Sequence, residues 1–394
     1  MNLKRLFLAT ISGMLINSSC THAQEYSYNL KFTVSRKNFV DSIPIEFNNG
    51  KIIIKAYSGG KIYRFFLDTG SSQGVLYRNG SLRHIRERGI ITSHDANGNS
   101  NKIMAVEFPT FKIGSLEISG YCGSQLTLQP NSDDHDAIIG FDLFNKGLLA
   151  KIDVASGYMI LTDNRHYFDN EYGYEMKYRL LRWVPNVKLS PFIKCTDEAR
   201  FDTGSRRLYE MGNRSCGIFM KEMSEFSSQI ESETHGSRTI ASFGTERNAT
   251  MYFLHLDRLM MGGFSFLDYH TITTQGNSRI GSELLNYGSV IINPYRKLII
   301  FCPYEDNGYL DISNKQTDIA FVPSSNGKAC VGMIWEGSPH YQNGFRQGDT
   351  ILSVNGTTIE SFNTFLTYPF IQGYTYTFVV VGNDGTIRTI QSER

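Results

Sequence analysis

Apolar positions along this chain fall in short runs and alternations, not at helical spacing. Ile43–Phe47 (IPIEF) alternates, while Lys51–Tyr57 (KIIIKAY) and Ile62–Leu67 (IYRFFL) run apolar. The stretch between the last two, Ser58–Lys61 (SGGK), carries turn chemistry. The pattern predicts a β-hairpin whose second strand ends at Asp68. A similar arrangement recurs later: Val187–Lys194 (VKLSPFIK), a polar turn at Cys195–Glu198 (CTDE), then Ala199–Phe201 leading into Asp202. Each approach ends on the same four residues, Asp68-Thr69-Gly70-Ser71 and Asp202-Thr203-Gly204-Ser205, 134 positions apart (202 − 68).

A second mark repeats in the same order. Asp136–Phe144 (DAIIGFDLF) precedes the strand pattern Ala150–Leu161, and Ser278–Leu285 (SRIGSELL) precedes Ser289–Phe301. Gly140 and Gly281 are 141 apart, and Asp153 and Asn293 are 140 apart. Landmarks at nearly one offset indicate an internal duplication, and two units of this size read as two lobes, not a solenoid.

Composition agrees with a β protein. The 394 residues suffice for two or three domains. Hydrophobic residues make up 41% and charged residues 20%, with 26 Phe and 22 Tyr against 10 Pro. That balance leans toward strands. A net charge of +1 with no basic stripe gives no footprint for nucleic acid.

Residues 1–23 read as a signal peptide: Lys4 and Arg5, then the apolar Leu6–Ile16, too short for a stable membrane anchor. Two processing sites compete. Thr21-His22-Ala23 suits ordinary cleavage before Gln24, and Cys20 resembles a bacterial lipoprotein cysteine. The expected location is therefore exported: periplasmic, outer-membrane-anchored or secreted from a bacterium, with membrane attachment only through a lipid at Cys20. The six cysteines form no CxxC pair and the nine histidines no HExxH spacing, so no metal and no cofactor are expected. Exported cysteines allow one or two disulfides, with pairing open.

Two carboxyl groups close enough to share one proton cannot both ionise, so one pKa falls and the other rises. Such a pair can hydrolyse an amide without metal or covalent intermediate. The carboxylate takes a proton from water while the carboxylic acid polarises the scissile carbonyl. Asp68 and Asp202 are the candidate catalytic pair. Gly70 and Gly204 permit a sharp turn, and Ser71 and Ser205 are placed to hydrogen-bond the outer carboxylate oxygens. Thr69 and Thr203 can tie the loops together through hydroxyl-to-backbone bonds. A competing motif, Gly70-Ser71-Ser72-Gln73-Gly74, matches the G-x-S-x-G elbow of serine hydrolases but lacks the strand–turn–helix context that motif needs.

These residues resemble the pepsin/retropepsin-like aspartic protease family over about residues 43–304. Each half-unit has the Asp-Thr-Gly after a hairpin and a later hydrophobic-hydrophobic-Gly, here AIIG ending at Gly140 and SRIG ending at Gly281. The resemblance implies a mostly β fold of two pseudo-twofold-related lobes in one chain, 24–165 and 166–306, needing no dimer, with a peptide or protein substrate in the interlobe cleft. It places the first-lobe flap hairpin at 90–104, around Asn97-Gly98-Asn99, and its counterpart at 239–253. The sequence departs from the family pattern in having no tyrosine in the first hairpin and a polar Arg279 before Gly281. Arg206 and Arg207 also follow the second motif where small or apolar residues are usual. They are expected to face solvent; held against the dyad they would lower its pKa values. No pepsin-length propeptide fits between Gln24 and Ile43.

Residues 317–394 differ in kind. GFRQGDTILSVNG (Gly344–Gly356), after a Gly-Ser-Pro turn, and the closing hairpin Tyr376–Ile390 resemble a PDZ domain. The resemblance implies a small α+β unit that binds an extended peptide at a sheet edge. The nearest stretch to a carboxylate-binding loop is Asp318–Gly327. The expectation is an exported aspartic endopeptidase with a PDZ-like module, the alternative being a catalytically inactive peptide-binding or chaperone-like protein on the same fold.

Overall fold

A computed structural model describes residues 31–393 except 79, 83–85, 95–98, 128–134, 237–239, 242–243, 246–248, 314–317 and 372. The leader with Cys20, the Asn97-Gly98 turn, Thr239 and the Thr317 boundary lie outside the described residues.

The protein is mostly β, built from large sheets. Its centre is a ladder of six antiparallel strands: Val40–Asn48, Tyr158–Thr162, Leu149–Asp153, Gly288–Asn293, Leu298–Pro303 and Tyr174–Leu181. The two halves contribute three strands each. Leu149–Asp153 and Gly288–Asn293, equivalent under the repeat, pair with each other at the middle (Ala150 with Ile292, Ile152 with Val290). That register is what a twofold axis between the halves requires. Asp153 and Asn293 do the same job on either side: each side-chain oxygen accepts the backbone N–H groups two and three residues ahead, closing the turn after its strand. Exchanging Asp for Asn there preserves the acceptor.

In each half, the strand leading to Asp-Thr-Gly runs beside the short strand ending in the later glycine. Lys61–Leu67 pairs parallel with Ala137–Ile139, and Asp197–Phe201 pairs parallel with Arg279–Ile280. Ile54, Phe65, Leu67, Ile139, Phe201 and Ile280 are buried in one continuous core, which fixes where both loops emerge.

Three sequence expectations shift. The polar residues 195–198 are not all turn, because the strand has already begun at Asp197. The Asp197 carboxylate is buried and accepts the hydroxyls of Tyr209 (2.5 Å) and Ser215 (2.7 Å), so its polarity does not mark a surface turn. The second-lobe hairpin starts earlier than 239: Ile230–Gly236 pairs with the first part of Ala249–Met261. No disulfide forms among the described residues; Cys122, Cys195, Cys216, Cys302 and Cys330 are free thiols. Among the described residues, no helix is long and apolar enough to cross a membrane.

The C-terminal part has its own sheet, ordered Ile319–Pro323, Ala329–Ile334, Thr350–Val354, Thr375–Val381, Ile387–Glu393. Two short helices, Pro339–Gln342 and Phe362–Leu366, are capped by the Ser338 and Ser361 hydroxyls. Phe345, Ile351, Phe378 and Val380 form a core separate from that of the lobes. The segment after Asp318 forms a strand and a hairpin turn.

Candidate active site

Asp68 and Asp202 each cap the end of a buried strand, and the backbone holds them alike. Asp68 N–H donates to Ile139 O (3.0 Å) and Asp202 N–H to Ile280 O (2.8 Å). Each carboxylate also accepts the N–H of its own loop glycine: Gly70 N to Asp68 Oδ1 (2.9 Å), Gly204 N to Asp202 Oδ1 (3.0 Å). Downstream, Phe141 N–H donates to Ser71 O and Ser282 N–H to Ser205 O, both at 2.8 Å.

The threonines lock the loops to each other. Thr69 N–H donates to Thr203 Oγ1 (3.0 Å) and Thr203 N–H to Thr69 Oγ1 (2.9 Å). Each hydroxyl in turn donates to the opposite approach strand, Thr69 to Phe201 O (2.9 Å) and Thr203 to Leu67 O (2.7 Å). Both side chains are fully buried, at 0% and 1% exposure, where a neutral hydrogen bond is least replaceable by water.

This lock brings the carboxyls together. A Cβ on Gly70 would overlap the Asp202 carboxyl, and one on Gly204 would sit 2.7 Å from Asp68 Oδ1. Glycine is required at both positions because each carboxyl occupies the space over the other loop's glycine. Burial pushes the Asp68 carboxyl up to about 8; the Asp202 charge and a hydrogen bond between the two carboxyls push the same way, while the Gly70 N–H and Arg200 oppose. Asp202 is buried and Asp68 half-buried, so the pair keeps access to water.

The serines act differently from expectation. Ser71 donates to Gln73 O (2.7 Å) and Ser205 to Glu210 Oε2 (3.4 Å). With the Gly70 and Gly204 N–H groups already on the inner oxygens, the hydroxyls are drawn to nearer acceptors that shape the loops. Arg207 is not free in solvent; its Nε lies 3.6 Å from Glu210 Oε1. Exposed Arg206 packs its side chain over Gly50. The cation that opposes the rise at Asp68 is Arg200. Arg279 is buried at 7% exposure, with its Nε 3.0 Å from Glu210 Oε2 and its Nη2 donating to Thr274 Oγ1 (2.8 Å). Glu210 thus gathers Ser205, Arg207 and Arg279 under the second loop. The G-x-S-x-G match leads into the strand Gly74–Tyr77, not a helix.

Sequence reasoning missed a second pair of acids. Asp142 and Glu283 each lie two residues after the later glycine, 141 apart (283 − 142). Each accepts the backbone N–H six residues beyond its loop aspartate, Gly74 for Asp142 and Leu208 for Glu283 (2.9 Å). Asp142 also accepts the Tyr121 hydroxyl (2.7 Å). The repeat offset already aligned these acids in the sequence; what was missing was the fold that turns them under the loops.

The first-lobe hairpin is present as Arg86–His94 paired with Ser100–Glu107.

No protein-family model and no curated protein matches the chain. Among solved structures it is similar to an aspartic proteinase from Irpex lacteus, at 13% identity and a TM-score of 0.42, covering 70% of this chain and 100% of that one.

Proposed function

We propose that the protein is an aspartic endopeptidase in which Asp68 and Asp202 activate one water between them. The observation that carries this reading is the reciprocal Thr69–Thr203 lock, which presses two carboxyls from different halves of the chain against each other's loop glycines. A purely structural turn has no need for a second buried acid opposite the first, since uncompensated carboxylates in contact repel. With one proton on the pair, the carboxylate deprotonates water as it attacks the peptide carbonyl, and the acid donates toward the carbonyl oxygen. The pair titrates as a unit.

The substrate is an extended peptide in the interlobe cleft, and the C-terminal unit acts as a PDZ-like module offering a sheet edge to a further peptide. Export, with or without lipid at Cys20, places the enzyme outside the cytoplasm.

The test is digestion of an unfolded protein and a peptide library. Asp68→Asn and Asp202→Asn each lower turnover by about 10²–10⁴-fold, with the fold retained by circular dichroism. Activity persists at neutral pH and falls above about pH 8, where the pair loses its shared proton. Equal turnover in wild type and Asp68→Asn overturns the mechanism. Specific peptide binding with no cleavage by wild type supports the inactive binding protein instead.

A further inference from the structure

We propose that the second lobe carries a site for a divalent transition-metal ion of the zinc class, held by His255, His270 and Glu231. The three side chains come from neighbouring strands of one sheet, Ile230–Gly236, Ala249–Met261 and Phe264–Ile272. His255 and His270 stand directly opposite in antiparallel register with ring centroids 4.3 Å apart; their planes, 5° apart in this structure, must turn from the stack to aim both in-plane lone pairs at one ion. Glu231 sits at the bulge between Ile230 and Ser232, with Oε1 3.0 Å from His270 Nδ1. One donor atom from each of the three lies within 4.8 Å of the others. His255 also belongs to a second group with Asp257 and Asp268, within the same 4.8 Å limit, and Asp268 Oδ1 is 3.2 Å from His255 Nε2.

The charge pattern favours a cation. A neutral imidazole is the form that ligates metals. Glu231, Asp257 and Asp268 gather three carboxyl groups around the two imidazoles, a concentration of acidic groups that a divalent ion offsets. Imidazole nitrogen beside carboxylate oxygen suits zinc and its neighbours better than calcium or magnesium, which favour all-oxygen sets. A ligating histidine usually carries a carboxylate on its other ring nitrogen, and Asp268 is available to do this for His255. The His270 and Glu231 side chains are 13% and 17% exposed, sheltered yet open to an arriving ion.

The position suggests what the ion does. Residues 251, 253, 255 and 257 alternate onto one face of their strand. On that face Met251, Phe253 and Ile272 pack against Met333 of the C-terminal unit, and Phe253 meets Trp335 at 6.3 Å between ring centroids. An ion at His255 would pin together the three strands on which that unit sits. The ligands are 24 and 15 residues apart (255 − 231, 270 − 255), a spacing that matches no linear metal motif and converges only through strand pairing.

The test is titration of the chelator-treated mature protein with zinc by calorimetry, together with thermal melting. Expected are one equivalent bound, a higher melting temperature, and at least about a tenfold affinity loss in each of His255→Ala, His270→Ala and Glu231→Gln. The metal-free melting temperature of each variant shows whether it folds, and His270→Gln repeats the test with little change in volume. Asp68→Asn binds zinc as wild type does, so the result stands apart from the proteolytic reading. Absence of saturable binding at micromolar zinc, or unchanged affinity in the His255→Ala/His270→Ala double variant, overturns the proposal.

Discussion

Asp142 shows how a single buried acid sets a pH dependence away from the dyad. Burial pushes its carboxyl up to about 7, although Tyr121 and nearby backbone N–H groups oppose the rise. Because the folded state holds this proton more tightly than the unfolded chain, stability is greatest in acid. It declines as pH rises from about 4 through about 7. Asp142→Asn removes the ionisation while keeping an oxygen for the Tyr121 hydroxyl. The variant should therefore gain stability over wild type at pH 8, by at most roughly 4 kcal/mol, and little at pH 4. Melting curves at the two pH values check this; an equal difference at both would rule out titration of Asp142 as the cause.

At the scale of elements, the strand Arg279–Ile280 shows a polar residue in a buried position absorbed by a local partner. An apolar residue is expected at 279, and the arginine is accommodated by buried Glu210 across the Tyr209–Glu210 pairing. Removing one partner of a buried ion pair costs about 3–5 kcal/mol, whereas replacing both with apolar residues can be neutral. Arg279→Met should therefore destabilise the second lobe strongly, and Glu210→Leu added to it should recover part of the loss, measured by denaturant unfolding. Because Glu210 also takes the Ser205 hydroxyl, Arg279→Met should lower the proposed peptide hydrolysis as well. If the single and double variants are equally destabilised, the pair does not explain the arginine.

At the scale of the whole molecule, the C-terminal unit rests on the second-lobe hairpin. Gln347 Nε2 donates to His235 O and to Gly332 O, and Trp335 covers Phe253. Trp335 is only half-buried, so Trp335→Ala should cost about 1–2 kcal/mol of docking. Amide hydrogen exchange should then quicken across 230–236 and 249–254 while the separate core around Ile351 and Phe378 stays protected. Unchanged exchange in the hairpin would mean that the two parts are held by other contacts.

The duplicated Asp-Thr-Gly-Ser, its hairpin approach and the later glycine were legible in the chain because each depends on local order: alternation, a turn signal, a fixed offset. The six-stranded ladder shared by the halves was not, since pairing between residues about 140 apart leaves no trace in neighbouring positions. The same limit explains the serines, whose acceptors Gln73 O and Glu210 depend on how the loop closes, and Asp197, whose polarity imitates a turn but serves the buried hydroxyls of Tyr209 and Ser215. Sequence alone determined which residues could do acid chemistry and in what order the halves run. Tertiary structure alone decided that Thr69 and Thr203 cross to the opposite strands, that Glu210 answers Arg279, and that His255, His270 and Glu231 share one face, because hydrogen bonds and charges act over a few ångströms of space whatever the distance along the chain.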